Sequence, residues 1–145
     1  MKMRPFEFSF RWDLAKNLSH GTQTDIIVTN FSKAFDKVPH RRLLHKLDYY
    51  GVRGKTKNWI SSFLSNRSQL VVVEGETSDP IDVDSGVPQG SILGPILFLI
   101  YVNDLPDNLT SQTRLFADDC IIFRPINKYF ILKKKCVHII YIKLL

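Results

Sequence analysis

The stretch Arg114-Leu-Phe-Ala-Asp-Asp-Cys-Ile-Ile-Phe123 decides the fold of this chain. Apolar residues flank a central Asp-Asp pair, and this pattern predicts a strand, a tight turn and a second strand. Two adjacent carboxylates at a turn repel each other, and a bound divalent cation such as Mg²⁺ would remove that cost. The alternative is a solvated polar turn, which the dipeptide taken alone favours because aspartate is common in turns.

The rest of the chain alternates between strand and helix patterns. Strand patterns cover residues 25–31, 68–74 and 80–84, and helix patterns cover residues 39–51, 56–64 and 92–105. The glycine-bearing turn near Gly75 is able to join the second and third strands as a hairpin. Ser91 is a good cap for the last helix. This mixture predicts an α+β fold, a sheet packed on helices.

Composition limits the class of protein. The chain has 145 residues, of which 44% are hydrophobic, so one domain with a core is expected. A net charge of +6 favours polyanionic partners such as nucleic acid, although an ordinary lysine-rich surface explains it equally well. Two cysteines without a Cys-x-x-Cys pair favour a reducing compartment. The apolar run from Ile96 to Val102 is too short to span a membrane, and no signal peptide is recognised, so we expect no membrane association and an intracellular location, nucleus or cytoplasm.

Two further segments have the residue types of a ligand site. Glycine and proline in Ser85-Gly-Val-Pro-Gln-Gly90 allow close backbone approach, and the helix that follows favours anions. The alternative is a plain loop before a helix. A basic cluster at Arg41, Arg42, His45 and Lys46 is suited to a phosphate backbone, and the alternative is a solvated helix face.

Three segments in fixed order carry a family resemblance. Asn30-Phe-Ser-Lys-Ala-Phe-Asp-Lys-Val-Pro-His40 closely resembles the first palm motif of reverse transcriptases from LINE-type (non-LTR, jockey-like) retrotransposons. Ser85-Gly-Val-Pro-Gln-Gly-Ser-Ile-Leu-Gly-Pro95 resembles their second motif, and Phe116-Ala-Asp-Asp119 resembles their third. The resemblance covers residues 12–125. Residues 1–11 are expected to be a leader outside the family. Residues 126–145 are expected to be a divergent tail, either an added strand or sequence that packs poorly.

The resemblance implies a palm subdomain, an antiparallel sheet packed on helices, with fingers and thumb largely missing. It implies templated attack of a primer 3′-hydroxyl on a deoxynucleotide, with two Mg²⁺ ions, an RNA template and a DNA primer as cofactors and partners. Asp118 and Asp119 would hold metal, with the backbone carbonyl of Phe31 as a further ligand. Phe35 would be the gate beneath the incoming sugar, and Gln89 and Gly90 would lie near the template and nucleotide. Arg41 and Arg42 are possible nucleic-acid contacts.

One residue departs from the family pattern at the position of the first acid. Asn30 stands where the family has aspartate, so the site loses a unit of charge and a bridging ligand. We expect Asn30 at a buried strand end, within about 6 Å of Asp118, a distance compatible with two-metal spacing. Asp36 is expected to lie too far along the strand to be a straightforward substitute. We therefore expect an inactive polymerase fragment, and the alternative is a non-catalytic nucleic-acid-binding or structural remnant.

Overall fold

A computed structural model describes residues 6–126 and 137–144, with side chains described from Phe10 to Ile126. The helices are α1 (Phe6–Ser19), α2 (His40–Tyr49), α3 (Gly54–Leu64) and α4 (Leu93–Val102), followed by a short 3₁₀ helix at Pro106–Asn108. The strands are β1 (Gln23–Phe31), β2 (Ser68–Gln69), β3 (Val72–Val73), β4 (Glu76–Thr77), β5 (Ile81–Asp82), β6 (Gln112–Phe116), β7 (Asp119–Ile126) and β8 (Val137–Leu144). The α+β prediction is therefore confirmed.

The chain divides into two compact units. The first unit combines the chain before Lys33 with the chain after Asn103, and the second unit is Lys33–Asn103. The first unit contains α1, β1 and the three last strands, while the second contains α2, α3, α4 and the four shortest strands.

A four-stranded sheet in the order β6-β7-β1-β8 forms the first unit. β7 pairs antiparallel with β6, as the Asp-Asp hairpin predicts, and it also pairs antiparallel with β1. Ile26 and Phe123 lie opposite each other on β1 and β7 and are buried on one face of the sheet. Thr29 and Cys120 also lie opposite each other and are buried on the other face, because residues an odd number of positions apart in a strand point to opposite faces. The Thr29 hydroxyl donates to the Cys120 carbonyl at 3.0 Å.

Helix α1 packs on this sheet and was not predicted from the sequence. Phe10 meets Phe123 edge to face, with ring centroids 5.2 Å apart. The Arg114 guanidinium donates to the Asp13 carboxylate at 2.9 Å. The beginning of α1 reads Phe-Glu-Phe-Ser-Phe, and this period of two resembles a strand more than an amphipathic helix.

The last strand decides between the two alternatives for the tail. β8 pairs parallel with β1 from Thr24 opposite Val137 to Phe31 opposite Leu144, so the added strand is the observed alternative. The added strand makes the sheet mixed rather than purely antiparallel, and poor packing of the tail stays a prediction. The remaining tail residues, 127–136 and 145, lie outside the described part of the chain.

The second unit consists of a helical cluster and an exposed arm, residues 68–82, which contains β2 to β5. Leu43 and Leu47 of α2, Leu64 of α3 and Leu97 of α4 are fully buried. α2 follows Pro39 and ends before Gly51, whose φ is 84°, so the predicted bracketing of this helix is confirmed.

The predicted long strands at residues 68–74 and 80–84 are instead four strands of two residues each, β2 paired with β5 and β3 with β4. Glu74 and Gly75 both have positive φ and form the two-residue turn near Gly75, as expected. Residues 68–82 are all exposed, so no buried face holds longer strands together. Among the helices that the structure describes, none has the length and apolar character needed to cross a membrane.

Candidate active site

The Asp-Asp pair lies at a hairpin turn because only Ala117 and Asp118 separate β6 from β7. Phe116 and Asp119 face each other as the last pair of the ladder, and Ala117 has a φ of 50°. The end of β1 lies beside this turn, with Asn30 opposite Asp119. The Phe31 amide donates to the Asp118 carbonyl at 3.1 Å and extends the pairing past the turn. The sheet therefore fixes the position of Asn30 relative to both carboxylates.

Asn30 binds both carboxylates through its side-chain amide. Its Nδ2 donates to Asp118 Oδ2 at 3.2 Å and to Asp119 Oδ1 at 3.1 Å. The predicted approach of Asn30 and Asp118 to within about 6 Å is confirmed. The expected burial of Asn30 is wrong, because its side chain is exposed and the buried part of β1 ends one residue earlier, at Thr29.

The donor chemistry of these residues decides whether they fit a two-ion site. Asp118 and Asp119 offer carboxylate oxygens, but Asn30 presents N–H groups to the same oxygens that a cation would bind. Within residues 6–126 and 137–144, no group of three or more histidine, cysteine, aspartate or glutamate side chains is placed to hold a metal. The residues as arranged therefore do not fit the two-ion centre of a three-carboxylate site.

A buried thiol follows the acidic pair directly. Cys120 is almost fully buried, and burial raises the pKa of its thiol above the ordinary value, although a hydrogen bond with Thr29 opposes the shift. The neutral Cys120 thiol therefore belongs to the core of the first unit. Only the apolar residues on either side of Cys120 indicated this burial in the sequence.

In the second unit, the loop that ends the first motif is joined to the loop of the second motif. Gly86 N donates to Val38 O at 2.8 Å, and Val87 N donates to Phe35 O at 2.7 Å. A Cβ on Gly86 would lie 2.8 Å from backbone atoms of Asp36, and its φ is 90°, so glycine is required here. The glycine of the second motif was expected to let the backbone approach a ligand, and in the structure it approaches the backbone of residues 35–38 instead.

Phe35 and Gln89 have partners within this unit. The Phe35 ring stacks on Phe98 of α4, with centroids 4.6 Å apart. Gln89 Nε2 donates to Asp36 Oδ1 at 2.9 Å. Gly90 has a φ of 79° and open space where a side chain would stand. Sequence reasoning considered Asp36 only as a replacement for Asn30 and missed its contact with Gln89, for which the spacing gives no signal.

Ser91 accepts a hydrogen bond from the first turn of α4, as predicted, but it lies one residue before the N-cap position, which is Ile92. The Ser91 hydroxyl accepts the Gly94 N–H at 2.9 Å and donates to the Pro88 carbonyl at 2.8 Å. A Cβ on Gly94 would lie 2.2 Å from that same carbonyl oxygen, so the third glycine of the motif allows this tight entry into the helix.

Arg41 and Arg42 lie exposed on α2 and line an open groove together with His45 of the same helix and Lys57 of α3. The structure thus brings Asn30, Phe31, Asp118 and Asp119 together in the first unit. The other predicted residues, Phe35, Gln89, Gly90, Arg41 and Arg42, all belong to the second unit.

Comparison with known proteins identifies the family. Residues 1–140 match the family described as reverse transcriptase (RNA-dependent DNA polymerase), and the chain belongs to that family. The match includes the residues set apart above as a leader and most of the tail.

The named relatives come from mobile elements. The chain is 32% identical over 142 residues to the RNA-directed DNA polymerase from mobile element jockey of Drosophila melanogaster. The alignment covers 81% of this chain and 14% of that protein. It is 36% identical over 86 residues to the probable RNA-directed DNA polymerase from transposon BS of the same fly, covering 55% of this chain and 9% of that protein. It is 29% identical over 92 residues to a Pol polyprotein from the type-1 element R2 of Popillia japonica, covering 63% of this chain and 15% of that protein. The resemblance to reverse transcriptases of LINE-type elements is therefore confirmed.

Proposed function

We propose that this chain is the palm portion of a non-LTR retrotransposon RNA-directed DNA polymerase whose nucleotidyl-transfer site is degenerate. In this proposal Asp118 and Asp119 occupy the metal-binding positions, with the Phe31 carbonyl beside them. Asn30 occupies the position of the missing acid. The order of the three motifs and the family membership support the assignment.

The contact of Asn30 with both carboxylates carries the proposal. An amide that donates to two carboxylate oxygens offsets their repulsion without an ion, and it offers no negative charge for a second ion. Removing one neutral donor to a transition state costs enzymes a factor of about 10²–10³ in rate. Loss of a bridging carboxylate is expected to cost at least as much, so primer extension should be absent or very slow.

The nucleotide and template side of the site is proposed for Phe35, Gln89 and Gly90. Support comes from the backbone hydrogen bonds that hold residues 35–38 against residues 86–87, since a gate and a template contact require a fixed frame. The contact between Asp36 and Gln89 restrains the glutamine amide in the same loop.

Nucleic acid is the proposed partner, with an RNA template and a DNA primer by analogy with the relatives' polymerase names. The net charge of +6 supports weak, salt-sensitive binding without sequence preference. An intracellular location stays a prediction. The chain spans 9–15% of the length of the relatives named above, so their complete activity is extended here only as a proposal.

The test is primer extension with Mg²⁺ by the unaltered chain, by Asn30→Asp and by Asn30→Ala. The unaltered chain is expected to bind a primer–template without extending it. Asn30→Asp is expected to recover Mg²⁺ affinity more than extension, while Asn30→Ala recovers neither. Robust extension by the unaltered chain would overturn the degenerate-site proposal. Binding without extension in all three variants would favour the non-catalytic remnant.

A further inference from the structure

The outer face of helix α2 combines basic and aromatic side chains. At about 100° per residue, Arg41, His45, Tyr49 and Arg42 fall in that angular order within an arc of roughly 100°. All four are exposed. Leu43 and Leu47 lie on the opposite side of the helix and are fully buried, which fixes the orientation of α2. We call these four residues the α2 outer face.

The positive charge of this face is uncompensated. Within the described part of the chain, neither Arg41 nor Arg42 has a carboxylate partner, and the nearest acid on the helix, Asp48, pairs with Lys57 of α3. Lys46 lies at the edge of the face and donates to the Tyr101 carbonyl. Two guanidinium groups therefore remain available for a ligand, and guanidinium is well matched to phosphate.

Tyr49 adds a stacking surface to this charge. Its side chain is 81% exposed, although burial would stabilise an aromatic ring. The ring is supported from one side by Tyr50, with centroids 5.3 Å apart and an interplanar angle of 76°. Tyr50 is itself anchored, because Asn103 Nδ2 donates to its hydroxyl at 3.2 Å. The exposed ring therefore stands against a fixed neighbour.

We propose that the α2 outer face binds single-stranded nucleic acid, with phosphates on Arg41 and Arg42 and an unstacked base on Tyr49. Arg41 and Tyr49 are eight residues apart, about 12 Å along the helix, which suits a footprint of a few nucleotides. A duplex offers phosphates but keeps its bases stacked, so only a single strand uses both parts of the surface. The inference rests on the proposed function only for its choice of nucleic acid, and it uses none of the residues assigned to the nucleotidyl-transfer site.

The test measures fluorescence anisotropy of four labelled probes with the full chain: oligothymidylate, oligouridylate, an abasic deoxyribose-phosphate oligomer, and a duplex of oligothymidylate with oligodeoxyadenylate. Arg41→Gln with Arg42→Gln should lower the slope of log affinity against log salt by about 1.4, since each single-strand phosphate contact contributes about 0.7. The matched control removes the same charge from exposed positions of α1, Arg11→Gln with Lys16→Gln, and should leave the slope nearly unchanged.

The aromatic part is tested separately. Tyr49→Ala should weaken binding of both base-bearing oligomers by about 10-fold or more and leave the abasic oligomer unaffected, while Tyr49→Phe keeps the affinity. Equal salt slopes for the α1 and α2 double variants would show that Arg41 and Arg42 do not bind the phosphates. Equal loss with the abasic oligomer, or duplex binding as tight as single-strand binding, would overturn the stacking role. Each of these failures leaves the Asn30 experiments intact, so the two proposals fail separately.

Discussion

Replacing Asn30 with aspartate tests whether the amide holds the acidic turn together. The substitution keeps the size of the side chain but removes two hydrogen-bond donors that lie 3.2 Å from Asp118 Oδ2 and 3.1 Å from Asp119 Oδ1. A third carboxylate then takes the place of the amide. We expect Asn30→Asp to destabilise the first unit when divalent cations are absent.

The magnitude follows from these distances. Two like charges about 3 Å apart repel by about 1.3 kcal/mol each pair at the dielectric constant of water, which applies because Asn30 and Asp119 are exposed. Two such pairs amount to roughly 2–3 kcal/mol, and the lost hydrogen bonds add at most about 1 kcal/mol after discounting for solvent. The free energy of unfolding should therefore fall by about 2–4 kcal/mol, and the melting temperature by roughly 10 °C.

Thermal unfolding followed by circular dichroism, in EDTA and across a Mg²⁺ titration, measures this effect. Mg²⁺ should restore the melting temperature of Asn30→Asp, because an ion that binds only the folded state stabilises it. Asn30→Ala is the control: it removes the donors without adding charge, so its loss should be smaller and its response to Mg²⁺ weaker. If Mg²⁺ stabilises the unaltered chain as much as Asn30→Asp, the amide does not offset the carboxylate repulsion.

Three other substitutions probe the frame around the site. Gly86→Ala should unfold the second unit or cost several kcal/mol in a urea titration, whereas Gly90→Ala, with positive φ but open space, should cost only about 1 kcal/mol; equal costs would contradict the close approach. Phe35→Ala should destabilise by up to about 3 kcal/mol through loss of its stacked ring, and Phe35→Tyr much less, in the same assay. In a Cys136→Ser background, Cys120 should react with a thiol reagent only as fast as the chain unfolds, and rapid labelling of folded protein would refute its burial. Because its pKa is raised in the folded state, the stability it contributes is present below the unfolded pKa and is lost as pH rises through the folded pKa, so the urea midpoint should fall at alkaline pH and fall less in Cys120→Ala.

Local patterns predicted those elements whose signals are local. Proline before α2 and glycine after it set the ends of that helix, and the alternation around the Asp-Asp pair set the β6–β7 hairpin. Residues 68–82 have strand-forming side chains as favourable as those of β6 and β7. Their valines are exposed, however, and without a buried face to pack against they do not form long paired strands. Helix α1 was missed because its phenylalanines alternate and its stability depends on contacts such as that with Phe123.

The candidate site was predicted as a set of positions but not as a set of contacts. The order of the motifs predicted that Asn30 lies near the acidic turn. The exposure of Asn30 and its two hydrogen bonds depend on the register between β1 and β7, which the motifs do not specify. The hydrogen bond from Gln89 to Asp36 joins residues 53 positions apart, so no local pattern could indicate it.

The division of the chain has a consequence for the order of folding during synthesis. The second unit is one continuous segment, Lys33–Asn103, so it can fold as soon as that segment leaves the ribosome. The sheet of the first unit cannot begin to close until β7 emerges, and it gains β8 only after residues 137–144 emerge. Until β7 emerges, β1 has no strand partner in the sheet. Its apolar residues from Ile26 to Val28 can then pair with a strand of another nascent chain. Translation that pauses before residue 119 should therefore yield an aggregation-prone intermediate with a folded middle, and a pause after residue 126 should yield less of it, because β7 then covers one edge of β1.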